Sequence, residues 1–502
     1  MRGAVRQSLF AGAVGLIVLG ATPGGAWAGS WGHGTEVSLV NISAVSKPFA
    51  TGAPQVGLSR VDPNVVAVAW RKYGLPINTN ADVGGRTAEC HVAISTNGGK
   101  TFRDTDLTPI LRQHTESDLP TQPAPGLWFC NWSWVSIGDD STIYAGGAMF
   151  TPLGDVGPAP KQGRAMITAS RDYGRSWRPT TLGINLPNFA PGLTGLGCAD
   201  VRPCVSSPDG TDPWHTPWDN AMGVAAPGSR TLYSMAGGYV VASDDRARTF
   251  GTVYRLAVPG WTISQGKIDV SGNKLVAPII ASSTPLAATC PCLGVATSTD
   301  KGASWTAQLL AQADEFNASG VGDTARYPFA AADPNSPGKY AVAAFTPDHR
   351  SVQVYSTKNN GHTWKKAVVR PVSSNMPIAR AGKIGLGYTS TGKPLVVWRA
   401  FQAPDDPNIP GGPGAFDTFA ALLDGNTFGP SVRVSPKSST YPIGTTVGST
   451  APDAADYNLN NGGGDFSTWI TGDNKFAYVA FPYAPGGSVL DTYLAKIPLK
   501  IM

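Results

Sequence analysis

One eight-residue pattern, hydroxyl-x-Asp/Asn-x-Gly-x-hydroxyl-aromatic, recurs along the chain and restricts its fold more than any other feature. It occurs as Ser95-Thr96-Asn97-Gly98-Gly99-Lys100-Thr101-Phe102 and as Ser170-Arg171-Asp172-Tyr173-Gly174-Arg175-Ser176-Trp177. It returns as Ser243-Asp244-Asp245-Arg246-Ala247-Arg248-Thr249-Phe250 and as Ser298-Thr299-Asp300-Lys301-Gly302-Ala303-Ser304-Trp305. A fifth copy is Thr357-Lys358-Asn359-Asn360-Gly361-His362-Thr363-Trp364, and a worn sixth keeps only the tail, Leu423 to Phe428. The pattern describes a hairpin turn. The Asp or Asn side chain accepts from backbone N–H groups, Gly supplies a positive φ, and the aromatic residue packs between neighbouring sheets. Copies at intervals of about 55–75 residues predict radial repetition.

A second signal accompanies the first. Two apolar runs joined by a turn stand at Pro54 to Trp70, Trp132 to Ala145, Trp218 to Ala236, Trp261 to Ile280, Tyr327 to Phe345 and Ile378 to Trp398. A seventh hairpin, Phe466 to Phe481, precedes the alternating strand Asp491 to Ile497. Glu36 to Ile42 is left over, and pairing it beside that last strand closes a ring without an open edge. Seven hairpins predict a seven-bladed all-β propeller; if one is an insertion, six blades result. With 60 Gly, 42 Pro and only 15% charged residues in 502, the composition is that of a turn-rich all-β protein.

The first residues read as an export signal: Arg2 and Arg6, an apolar stretch from Leu9 to Leu19, and small residues at Ala26-Trp27-Ala28. Cleavage there defines residues 1–28 as a signal peptide and 29–502 as one propeller domain, secreted and extracellular. No later segment is apolar enough to span a membrane. The six cysteines, Cys90, Cys130, Cys198, Cys204, Cys290 and Cys292, fit disulfides in an oxidising compartment. Cys90 with Cys130 would tie the first repeat to the second, and the other pairings stay open. They form no pair of CxxC motifs, so no zinc site is expected. A net charge of +5 without a basic tract argues against nucleic acid and membrane surfaces as partners.

The turn motifs, over residues from about 50 to 430, resemble those of the sialidase (BNR-repeat, Asp-box) superfamily. The same repeats occur in other glycan hydrolases, in receptors and in non-catalytic binding propellers, so the resemblance bears first on fold. For a true sialidase it implies three arginines gripping the substrate carboxylate, a Tyr–Glu nucleophile and an Asp acid/base. Asp82, 13 residues before Ser95, matches that Asp in order, although Asn78 to Gly84 also reads as a solvated turn. The family's first arginine has no counterpart in Thr51-Gly52-Ala53-Pro54-Gln55-Val56. Arg326, in Ala325-Arg326-Tyr327-Pro328, and Arg380 open the fifth and sixth hairpins and could hold an anion together. Glu315 is the glutamate whose order suits the family, with Tyr441 or Tyr457 as the nucleophile.

The loops add a reading that needs no family. Box turns lie on one face; the long connections, such as 183–217 and 433–463, lie on the other, which is how a propeller builds a binding surface. Trp214, His215, Trp218 and Asp219 combine indole faces with polar groups, a composition suited to sugars. Asp453, Asp456, Asn458 and Asp465 offer oxygens to Ca²⁺, but Asx-turns explain them equally, and no cofactor is otherwise expected. The sequence carries no GxSxG, HExxH, Walker A or dinucleotide motif. The expected function is a secreted, sialidase-like glycoside hydrolase acting on an extracellular or cell-wall glycan, monomeric. The alternative is a non-catalytic propeller that binds glycan or protein through the same loops.

Overall fold

Seven antiparallel sheets follow one another along the chain, each a run of neighbouring strands. The computed structural model describes residues 36–46, 51–72, 89–111, 129–150, 163–181, 222–236, 239–258, 261, 268–281, 292–317, 328–369, 380–402, 415–439, 469–484 and 490–502. All of them belong to one compact unit. Blade one comprises Thr51–Leu58, Val66–Lys72, Glu89–Ser95 and Arg103–Asp106. Blades two to six occupy 129–181, 222–255, 269–311, 329–368 and 380–433 in the same strand order. Blade seven is assembled from Trp469–Gly472, Phe476–Tyr483, Asp491–Pro498 and Ser38–Asn41. The hairpin after the worn sixth repeat is therefore a blade of its own, and the count is seven. Ser38–Asn41 runs antiparallel to the last strand, with Ser38 opposite Lys496 and Asn41 opposite Tyr493.

The repeated turns show why the pattern needs its residue types. In the first copy Ser95 Oγ donates to Asn97 Oδ1 at 2.9 Å, and the Gly99 and Thr101 N–H groups donate to Ser95 Oγ and Asn97 Oδ1 at 2.9 and 3.0 Å. The fourth copy repeats these bonds with Ser298, Asp300, Gly302 and Ser304 at 2.7 to 2.9 Å. Gly302 takes φ +96°, and a Cβ there would stand 2.2 Å from Val240 Cγ1 on blade three. Backbone angle and inter-blade contact thus both require glycine at that position. The third copy holds the same bend with Ala247 at φ +58°.

Closing aromatic residues reach the preceding blade. Phe102 packs with Tyr478 and Leu494 of blade seven, Trp305 with Val240 of blade three, and Phe428 with Val354 of blade five. Period-two alternation sends the other rows of each strand toward the following blade, so the core consists of inter-blade layers. Cys90 and Cys130 form a disulfide between the third strand of blade one and the innermost strand of blade two. Cys292 is also disulfide-bonded. Among the described residues no helix is long and apolar enough to cross a membrane.

Candidate functional site

In a four-stranded meander the first and third turns share one face, which here carries the repeat turns. The second turn and the connection to the next blade share the other, called the open face below. Two second strands reach the open face with a shared Val-x-Trp-Arg pattern. Val68-Ala69-Trp70-Arg71 stands near the end of one in blade one, and Val396-Val397-Trp398-Arg399 near the end of one in blade six. Trp70 packs with Tyr478 and Ala480 of blade seven, whereas Ala67 and Ala69 face blade two, and Arg71 continues their row. Trp398 likewise packs with Phe329 of blade five, whereas Leu395 and Val397 face Ile470 and Val479 of blade seven, and Arg399 continues that row. Both arginines are buried, at 1% and 0% exposure. The Arg399 guanidinium lies 4.8 Å from the centre of the Phe416 ring.

The innermost strands answer these arginines in one way. Arg71 is paired with Gly52 and Arg399 with Gly382, and a bulge follows each glycine at once. The first bulged residues, Ala53 and Lys383, take φ +48° and +49°, a conformation that costs a residue with a Cβ. Paired residues in antiparallel strands point to the same face of the sheet. A glycine opposite each arginine leaves that face of the innermost strand free of a side chain, and the Arg399 guanidinium stands over Phe416 of the third strand. Bulges that re-aim side chains concentrate near functional sites; a like bulge follows Asn131 in blade two, and blades one and six set a Gly–Arg pair before theirs.

Polar groups surround this part of the open face. In blade six Asp417 is fully buried; Arg433 donates to its Oδ1 from Nη2 and Nε at 2.6 and 2.9 Å, and Ser438 Oγ donates to Oδ2 at 3.0 Å. Within blade seven Asn41 Nδ2 donates to Asp491 Oδ2 at 2.9 Å, and at the join to blade one Thr51 Oγ1 donates to Ser43 Oγ at 2.8 Å.

Blade one carries a denser cluster on the side that looks toward blade seven. His91 stacks on Trp70 with ring centres 4.1 Å apart. Its Nδ1 is 2.8 Å from Asp104 Oδ2, its Nε2 is 3.4 Å from Glu89 Oε2, and Lys72 Nζ is 2.7 Å from the same Glu89 oxygen. The His91 hydrogen bond, with help from Lys72, holds Glu89 down at about 2 despite its burial. Burial alone would lower His91, but hydrogen bonds to Asp104 and Glu89 push it up to about 9.

The axis of the ring holds a cavity of about 150 Å³ walled by the innermost strands of all seven blades, opening toward the repeat-turn face at Leu58, Ile137, Ala225, Val270, Ala332, Tyr388 and Thr471. Its acid is Asp269, whose Oδ1 and Oδ2 accept from the Val270 and Ala332 N–H groups, both at 2.8 Å. Burial raises Asp269 to about 6 against those bonds.

Of the residues expected from sequence, Asp82, Trp214, His215, Trp218, Asp219, Arg326, Tyr441 and Tyr457 lie outside the described residues, as do Asp453, Asp456, Asn458 and Asp465. Arg380 begins the innermost strand of blade six on the open face, with its backbone opposite Phe401. Glu315 is exposed, and its Oε2 accepts from the Gln312 N–H at 2.8 Å, closing its own turn. The two Trp-Arg strand ends were legible as a repeated Val-x-Trp-Arg, an arginine at the same position of two apolar strands, but without the register to Gly52 and Gly382 they read as ordinary strand ends.

No family model matches the chain, and no curated protein matches it. Among solved structures it is similar to a Trypanosoma rangeli sialidase at 12% identity, over 89% of this chain and 55% of that one, with a TM-score of 0.41. It is also similar to the intramolecular trans-sialidase from Ruminococcus gnavus, at 12% identity over 92% and 97% of the two chains, TM-score 0.39. A Dyadobacter fermentans protein of unknown function is similar at 14% identity over 92% and 99%, TM-score 0.41. The chain spans about half the length of the T. rangeli enzyme. These likenesses concern fold, which the seven sheets establish by themselves. The chain is a seven-bladed β-propeller.

Proposed function

We propose that this chain is a secreted glycoside hydrolase of the sialidase type that takes an acidic glycan terminus on its open face. The observation that carries the reading is the repeated Gly–Arg pair beside a strained bulge in blades one and six. Guanidinium groups bind carboxylates through paired charge-assisted hydrogen bonds. Arg71 stands directly across from Gly52, within the stretch Thr51 to Val56 that lacks the expected arginine. In this reading the neighbouring strand supplies the missing guanidinium, joined by Arg399, Arg326 and Arg380. Asp82 acts as acid/base and Tyr441 or Tyr457 as nucleophile, with Trp214, His215, Trp218 and Asp219 holding the sugar. Glu315, whose Oε2 holds the Gln312 N–H in its own turn, would serve as the partner of the nucleophile through its other oxygen. The Cys90–Cys130 disulfide supports export to an oxidising compartment.

That bond of Glu315 also favours a second reading, a non-catalytic propeller that binds glycan through the same face. Turnover of a fluorogenic α-sialoside, together with calorimetric binding of free sialic acid, separates the two. Hydrolysis is expected in the full chain. Asp82→Ala should reduce kcat by at least about a thousandfold, and Arg71→Met should raise KM in a protein that remains folded. Binding without turnover would select the non-catalytic reading. A folded protein that neither binds nor cleaves would reject both for this sugar.

A further inference from the structure

We infer that blade one carries a divalent transition-metal site, formed by Glu89 and His91 on its third strand and Asp106 on its fourth. One imidazole nitrogen and one carboxylate oxygen from each acid lie within 4.8 Å of one another. The sheet geometry makes this a constructed arrangement. His91 and Asp106 are direct cross-strand partners, and Glu89 is two residues from His91 on the same face. The opposite face of the third strand, Cys90 and Val92, is packed in the core against blade two, which fixes the direction of the three ligands.

The imidazole is oriented as metal-binding histidines are. Asp104 holds Nδ1 at 2.8 Å and the Trp70 ring holds the plane, so Nε2 is directed to the Glu89 side. A carboxylate on the second ring nitrogen is the usual support of a ligating histidine, fixing its tautomer and raising its basicity. One nitrogen and two carboxylate oxygens suit Zn²⁺ or a neighbouring first-row ion, leaving room for water in the remaining position. Bonds of about 2.0–2.2 Å require the ligands to close in from their present separation. Glu89 and Asp106, both only partly buried, supply that movement. As the ion arrives, the Lys72 ammonium, now on Glu89 Oε2, moves to the solvent side, and the His91 Nε2 proton is released to water so that its lone pair can bind. The site does not depend on the reaction proposed above, because its ligands are on the outer half of one blade.

Titration of the chelator-treated full chain with ZnCl₂, followed by calorimetry, and with CoCl₂, followed by visible absorption, tests the inference. One equivalent is expected, with a Co²⁺ spectrum of mixed nitrogen and oxygen ligation. Asp106→Asn should weaken binding at least tenfold and His91→Gln should abolish it. Asp104→Asn should weaken it about 10- to 100-fold while leaving the stoichiometry at one. If His91→Gln does not fold, the two aspartate variants carry the test. No binding at millimolar Zn²⁺ by the folded protein, or binding indifferent to both aspartate changes, would overturn the site.

Discussion

Asp269 illustrates how a single residue on the axis imprints itself on the whole protein. Its carboxylate accepts two backbone N–H groups, one from the neighbouring blade, yet burial keeps it near 6. An acid whose folded value lies above its unfolded value near 4 binds its proton more tightly when folded. Stability linked to this group is therefore present at low pH and is lost as pH rises from about 4 to 6, by about 3 kcal/mol in all. Asp269→Asn should remove that decline, so the difference in denaturant midpoint between wild type and variant changes across pH 4 to 6 and is flat above 7. A constant difference over the range would contradict the assignment. Other residues could be read directly from the chain. Asn97 and Asp300 announce their bonds because donor and acceptor lie within four positions of each other. Asp269 could not be recognised, since its environment comes from Ala332 on another blade.

The same contrast between local and distant information appears among the strands. Strand positions followed from alternation and from the turns, and the seventh hairpin was visible as an apolar repeat. What the chain did not declare was register. The bulges at Gly52 and Gly382 turn two unremarkable strand ends into matching buried arginines, and a bulge leaves no reliable local mark when its bent residue is Ala53 or Lys383. Most of the expected site residues lie outside the described residues. Blades two and three show how closely the elements fit. The Trp134 indole lies between Gly146 of its own sheet and Gly223 of the next, where an added Cβ would come within 2.9 and 2.3 Å of the ring. Gly223→Ala should cost about 1–3 kcal/mol by forcing the two blades apart. Native-state hydrogen exchange should show the loss at Met222–Ala225 and Phe129–Ile137 first. Uniform protection in the variant would show that the indole can move aside.

For the whole molecule, the blades are joined in series, each touching mainly its neighbours, so local weakening stays local. The Cys90–Cys130 bond crosses one such boundary and closes a loop of 40 residues. Its chain-entropy contribution is about 4 kcal/mol. Replacing both cysteines with alanine should speed exchange in Glu89–Ser95 and Phe129–Ile137 while Phe329–Ala332 and Tyr340–Phe345 keep their protection. Equal acceleration everywhere would mean that the ring opens as one unit.

The pairing of Ser38–Asn41 with Asp491–Pro498 also sets a clock. At about 5–20 residues per second, the interval between the appearance of the first of these strands and its partner is on the order of 20–90 seconds. For that time the early strand has no hydrogen-bonding partner of its own, while blades one to six can each form behind it from contiguous chain. Closure of the ring is thus governed by when Asp491–Pro498 emerges rather than by how stable the first six blades are, and a pause before it leaves an arc with two adhesive edges.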